Sequence, residues 1–246
     1  MLGFGLFDFG VLGSLEYFNG VAKHLHDKFG AQVLTTKVPP IGSVQERGRK
    51  LADQIVAAFD SHERVHILAH SMGGLDARWA MKNVPGFAVR VKTLVAIGTP
   101  HRGSPVADAI RGGNPALLRH IPLPIVAQLR INQAALNDLA TDHREAPDVD
   151  DPQLKYRYVV GDLSQPNAHC SHAFRAIQAI FGVRSANDGV VTVDSATRGG
   201  TVNSDLTWPV DHAGEIGWNL DRPIPAAFPL ADHSHFARYD DVIALL

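Results

Sequence analysis

A near-continuous apolar run, Val65 to Ala69, ends directly in His70-Ser71-Met72-Gly73-Gly74, and this junction constrains the fold of the chain most. The run reads as a strand buried on both faces, and Gly73 to Met81 reads as the helix that follows it. A serine at such a sharp strand-to-helix turn is held in a strained backbone conformation with its hydroxyl exposed. Only small residues two before and two after leave room for it, and Ala69 and Gly73 supply that room. The helix that starts after Ser71 aims free backbone N–H groups at the space where negative charge would form. The Met72 amide is therefore a candidate oxyanion donor.

Around this junction, short β-rich runs alternate with longer helix-like stretches, the signature of an α/β chain with a parallel sheet flanked by helices. The pattern predicts strands at Gln32 to Thr35, Lys92 to Ile97 and Tyr156 to Val160. Between the first of these and Val65 it predicts a helix over Val44 to Phe59, with Leu51, Ile55, Ala58 and Phe59 on one side. A long stretch, His101 to Pro152, separates the last two strands, with helix-like pieces at Val106 to Ile110 and Ile125 to Leu139. Its prolines, glycines and charges argue against a second core. An insertion of this length in one compact domain is expected to be a functional cover, a lid over about 101–152.

A nucleophilic serine needs a base and an acid to orient that base, and in this type of fold they follow in the order serine, acid, histidine, on loops at the carboxyl end of the sheet. Asn187-Asp188-Gly189 is a tight-turn tripeptide, so Asp188 is the candidate acid. Asp211-His212-Ala213-Gly214-Glu215 follows Trp208-Pro209 and makes His212 the candidate base. Order alone leaves rivals open. His233 and His235 also come late among the 13 histidines, and Asp194, Asp205 and Glu215 are alternative acids. Glu215 reads most simply as a first-turn acid that stabilises its own helix.

These segments together resemble the bacterial triacylglycerol lipases typified by Pseudomonas and Burkholderia, with related esterases of the α/β-hydrolase fold. The matching stretches are Glu16-Tyr17-Phe18, Ala69 to Gly74, Gly98-Thr99-Pro100-His101-Arg102-Gly103-Ser104, Asn187-Asp188-Gly189, and Asp211-His212 to Glu215-Ile216. The resemblance implies a triad of Ser71, Asp188 and His212. It also implies an oxyanion hole from the Met72 amide and from Phe4, in the loop Leu2 to Asp8. The implied chemistry is ester hydrolysis through an acyl-enzyme, with no cofactor. Short- to medium-chain acyl esters or triacylglycerols are the expected substrates, and transient contact with a lipid interface is expected. A non-catalytic scaffold that binds a hydrophobic ligand or partner, or an acyltransferase, is the alternative.

Departures from the family pattern carry their own expectations. Ala69 stands where the pattern has Gly and Leu2 where it has His, and because the chain starts at the Leu2 loop, the expectation is either a shortened start or a sheet that lacks a central strand. A missing strand would expose backbone groups on its neighbours. Those lipases place a carboxylate two residues after the histidine and an amide side chain four beyond it. Here the residues are Gly214 and Trp218, so the familiar calcium site is expected to be lost, leaving no metal.

Charge and cysteine usage bound the rest. With 23 basic and 25 acidic side chains the chain has no broad field for nucleic acid. The single cysteine, Cys170, cannot form an intrachain disulfide. The His169-Cys170-Ser171-His172 and His233-Ser234-His235 clusters lack the spacing of a defined zinc motif. Met1 to Gly13 has no basic head of a secretory signal, so the chain as it stands reads as cytoplasmic, and secretion stays open if the start is truncated.

Overall fold

The computed structural model describes residues 17–39, 42–113, 133–142, 151, 153–181, 185–199, 203–221 and 234–246. Phe4 with its loop, Glu16, His233 and the middle of the expected lid, 114–132 and 143–150, lie outside the described residues.

Four parallel strands, β1 (Val65–His70), β2 (Val91–Ile97), β3 (Lys155–Gly161) and β4 (Leu206–Trp208), form one sheet in the order β1-β2-β3-β4. Ile67 pairs with Leu94, His70 with Ile97, Ile97 with Val159 and Gly161 with Trp208, so the strand ends carrying the sequence motifs are level with one another. The period of two then sorts the side chains. Ile67, Ala69 and Leu94 join one buried cluster, and Leu68, Val95, Ile97 and Val159 join another on the opposite face.

Helices cover both faces. On one lie α2 (Val44–Ala58) and α3 (Met72–Asn83), whose Leu51, Ala52, Ile55, Ala77 and Ala80 pack on the sheet. Ser43 starts α2 with a capping box: its Oγ accepts from the Glu46 amide while the Glu46 carboxylate accepts from the Ser43 amide. On the other face Val21 and Leu25 of α1 (Val21–Phe29) meet Tyr239 and Val242 of α8 (His235–Ala244). A third cluster sits beyond the carboxyl ends of the strands. There α4 (Pro105–Arg111), α5 (Gln133–Asp138) and α6 (His172–Phe181) pack with Met72, Val160, Val190 and Ala213. The short helix α7 (Val193–Ala196) follows the Asp188 turn and adds Ala196 to that cluster. Two described parts of the expected lid, 101–113 and 133–142, thus contribute Val106, Ile110 and Leu136 to this cluster.

Two expectations need correction. Gln32 to Thr35 forms no ladder with the four described strands, and an apolar groove of about 280 Å³ is lined by Val33, Leu34, Val65 and Ile67. In α2 the inward side is Leu51, Ala52 and Ile55, whereas Ala58 is exposed, because the helix ends there and Phe59 leaves in extended backbone.

The α2–α3 contact encloses a charge pair. Arg47 Nη2 lies 2.8 Å from Asp76 Oδ2, with side chains 1% and 0% exposed, and Arg47 Nη1 donates to the Pro39 carbonyl at 2.6 Å. Burial pushes the Asp76 carboxyl up to about 6 despite the guanidinium beside it. Removing one member of such a pair leaves the other buried alone, so Arg47→Met is expected to cost about 3–5 kcal/mol of stability. Urea unfolding of Arg47→Met beside the Arg47→Met/Asp76→Leu double variant checks this. The double variant should recover much of the loss, and a wild-type midpoint for Arg47→Met alone would refute the account.

Candidate active site

The junction after β1 has the geometry that its sequence demands. Ser71 has φ 54° and ψ −132°, a left-handed conformation that a side-chain-bearing residue rarely adopts. The Ser71 amide donates to the Ile97 carbonyl at 2.9 Å, which ties the turn to the end of β2. A Cβ at Gly74 would come within 2.1 Å of Thr99 Oγ1, so only glycine lets α3 leave this close to the chain after β2. The Met72 amide occupies the first turn of α3, where no preceding helical carbonyl can accept from it.

Three of the five residues singled out from the sequence come together here. His212 Nε2 is 2.9 Å from Ser71 Oγ, and His212 Nδ1 is 2.7 Å from Asp188 Oδ2. Asp188 is held by its own turn, with Oδ1 accepting from the Val190 and Val191 amides at 2.8 and 2.6 Å. The His212 amide also donates to the Asp188 carbonyl at 2.9 Å. Asp211 fixes the loop from the other side. Its Oδ2 accepts from the Ser171 amide and hydroxyl, and its Oδ1 accepts from the Gly214 amide. Met72 stands beside Ser71, and Phe4 lies outside the described residues.

The rival residues go elsewhere. Asp205 bonds Arg157 and the Tyr158 amide, Asp194 is on the outside of α7 facing Arg102, and His235 bonds the Asn19 carbonyl at 2.7 Å. Glu215 is different. It lies in a 3-10 turn, Gly214–Ile216, fully buried, and its Oε2 is 3.2 Å from His212 Nδ1 and 2.9 Å from His70 Nε2. The space it fills exists because residue 98 is glycine. At that position φ is 51°, and a Cβ would fall 2.1 Å from Glu215 Oε2. The reading of Glu215 as a first-turn acid thus understates it, because the turn delivers the carboxylate to the histidine.

Burial penalises the charged form of each of these groups, raising Asp188 and Glu215 and pushing His70 well below its ordinary value. For His212 burial also opposes the charged ring, but the Asp188 and Glu215 carboxylates against Nδ1 outweigh it and hold the imidazole above its ordinary value. The site therefore favours a proton on His212 and a neutral His70.

Nor does this end of the sheet fit a calcium ion. Trp218 Nε1 donates to the Tyr17 carbonyl at 2.9 Å, Gly214 has no side chain, and both Asp211 oxygens are engaged by Ser171 and Gly214. His70, His212 and Glu215 are close enough together to surround a metal, yet their ligand atoms already face one another in hydrogen-bonding pairs.

Comparison with known proteins finds lipases among both the sequence relatives and the solved structures. A family description, PGAP1-like alpha/beta domain, matches residues 44–112. Triacylglycerol lipase 2 of Saccharomyces cerevisiae is 40% identical over 102 residues, covering 39% of this chain and 31% of that protein. A triacylglycerol lipase of Vibrio cholerae is 34% identical over 114 residues, 46% of this chain and 35% of that protein. The matched stretch thus spans about a third of the length of these relatives. Among solved structures, the mature form of Bacillus licheniformis lipase BlEst2 superimposes with a TM-score of 0.68 at 22% identity, covering 87% of this chain and 84% of that one. Staphylococcus hyicus lipase does so with a TM-score of 0.64 at 14% identity, over 99% and 92%. The fold is that of the α/β-hydrolases, and the sequence likeness to triacylglycerol lipases is confined to the matched stretch.

Proposed function

We propose that this chain is a carboxylic ester hydrolase in which Ser71 is the nucleophile, His212 the general base and Asp188 the residue that orients the base. Ser71 Oγ attacks the ester carbonyl carbon while His212 Nε2 takes its proton, and the tetrahedral oxyanion collapses with loss of the alcohol, which receives that proton from His212. Water then repeats the sequence on the acyl-enzyme. The observation that carries this reading is the strained Ser71 turn with its hydroxyl 2.9 Å from an imidazole that is itself backed by a carboxylate. The Met72 amide is the first oxyanion donor in this account, with Phe4 as the second. Short- to medium-chain acyl esters, and after them triacylglycerols, are the substrates that suit it, with 101–152 as its lid in this reading.

Covalent labelling tests it. A fluorophosphonate should modify the native protein at one site, with the adduct mapping to Ser71 by mass. A protein that stays unlabelled, or is labelled elsewhere, would favour a scaffold that binds hydrophobic ligands without turning them over.

The electrostatics add a pH expectation. The base is active only when neutral, and the two carboxylates hold the His212 pKa above the ordinary histidine value, so kcat/KM should rise with pH on the alkaline side of about 6.5. A pH–rate profile on a soluble ester reads this directly. A limb that is complete well below that value would contradict the assigned environment of the ring.

A further inference from the structure

Tyr17 is a motif residue to which the hydrolase reading gives no task. Its hydroxyl lies 2.7 Å from His70 Nδ1, His70 Nε2 lies 2.9 Å from Glu215 Oε2, and the same Glu215 oxygen lies 3.2 Å from His212 Nδ1. The His70 ring also packs on the His212 ring, with centroids 4.4 Å apart. Each residue comes from a different part of the chain. Tyr17 precedes α1, His70 ends β1, and Glu215 sits in the turn after His212.

With Glu215 ionised, the donors and acceptors order in one way. An ionised Glu215 carboxylate can only accept, so His70 must donate from Nε2. A neutral imidazole with its proton on Nε2 has a lone pair on Nδ1, and the group facing that lone pair must donate, which the Tyr17 hydroxyl does. Glu215 therefore sets the tautomer of His70, Tyr17 pins the ring by donating to its Nδ1, and the pinned ring fixes the oxygen of Glu215 that faces the base. Without the Tyr17 hydroxyl, the buried Nδ1 lone pair loses its donor and the ring is held at its Nε2 edge alone, so Glu215 loses a fixed partner.

We propose that Tyr17 and His70 are positioning residues that act through Glu215, locking this carboxylate as the second partner of the His212 imidazolium. The proposal rests on the reading of His212 as the base of a hydrolase. Among the described residues, the charged and titratable groups around His212 are Asp188, Glu215 and His70, and those around Glu215 are His212, His70, Asp188, and Arg238 and Tyr239 of α8. Arg238 and Tyr239 bond backbone carbonyls of the turn, at Gly214 and Glu215, and so do not compete for the Glu215 oxygen that faces the histidines.

Tyr17→Phe is the test, because it removes one oxygen atom and leaves the Tyr17 carbonyl to accept from Trp218. On a soluble ester it should lower kcat by roughly 3- to 10-fold with KM unchanged, and move the acid limb of kcat/KM to lower pH. In a Glu215→Gln background the same substitution should change kcat no further, since its route to the base is already cut. Nitrogen NMR of 15N-histidine-labelled protein supplies a readout independent of turnover. The His70 signals, assigned by their loss in His70→Asn, should show an Nε2–H tautomer in both proteins, with the Nδ1 signal moving toward that of an unbonded ring nitrogen in Tyr17→Phe. An unchanged Nδ1 signal, or an equal loss of kcat with and without Glu215, would overturn the proposal. Failure of the native protein to acylate at Ser71 would instead sink the hydrolase reading, while the nitrogen measurement still decides whether the Tyr17–His70–Glu215 chain exists.

Discussion

Ser71→Ala is expected to lower kcat for a soluble ester by roughly 10⁵-fold and to abolish covalent labelling, with almost no change in stability. The hydroxyl is the atom that bonds to carbon, and in the structure its oxygen meets the one imidazole nitrogen turned toward it. What remains after its loss is oxyanion stabilisation and substrate binding, which together keep some rate above that in water. Stability should hold because alanine faces the same left-handed strain at φ 54° that serine already bears, and the Ser71 amide keeps its bond to Ile97. The check is a steady-state rate on the purified variant beside a thermal melt. A variant that melts as the native protein does and still hydrolyses ester at more than a few per cent of its rate would remove Ser71 from the mechanism.

How much of this was legible beforehand depends on the range of the forces involved. The Ser71 turn could be read because its causes are local: an apolar run for the buried strand, small residues for the sharp bend, and a helix pattern after it. Asp188 and His212 could be placed by their order and by the turn chemistry of Asn187 and Gly189, but order alone did not exclude Asp194, Asp205 or His235. Their separation comes from tertiary packing, which leads each of them to a different partner.

The misreadings have the same origin. Gln32 to Thr35 has strand composition, yet among the described residues it pairs with none of the four strands, and composition alone names no pairing neighbour. The strand β4, Leu206–Trp208, was passed over because three residues carry no periodicity. Glu215 was undervalued for a subtler reason. An acid three residues after a histidine suits a helix terminus, and nothing in the spacing tells that the turn is buried against Gly98, with a second histidine waiting beyond it. The hydrogen-bond chain through Tyr17 and His70 spans 53 and then 145 residues of sequence, well beyond any local pattern.

Asp188→Asn is the second substitution with a large expected effect, and Glu215 sets its size. The Asp188 Oδ1 position accepts from two backbone amides, so the carbonyl of an asparagine would take that place and its NH₂ would face His212 Nδ1. A donor there favours the tautomer with its proton on Nε2, which cannot receive one from Ser71; in an isolated triad that costs about 10⁴-fold in kcat. Here Glu215 Oε2 remains 3.2 Å from Nδ1 as a competing acceptor that can restore the productive tautomer in part of the population. The expected loss is therefore smaller, on the order of 10²- to 10³-fold, while Glu215→Gln alone should cost roughly 3-fold and the double variant should fall to about 10⁴-fold. Each substitution removes negative charge from the edge of the imidazole, so each should also lower the His212 pKa and carry the acid limb of kcat/KM downward. The acylation burst rates of the two single variants and the double variant test the coupling. If the double variant lost no more than the product of the two single losses, the carboxylates would act independently, and Glu215 would have no share in holding the base.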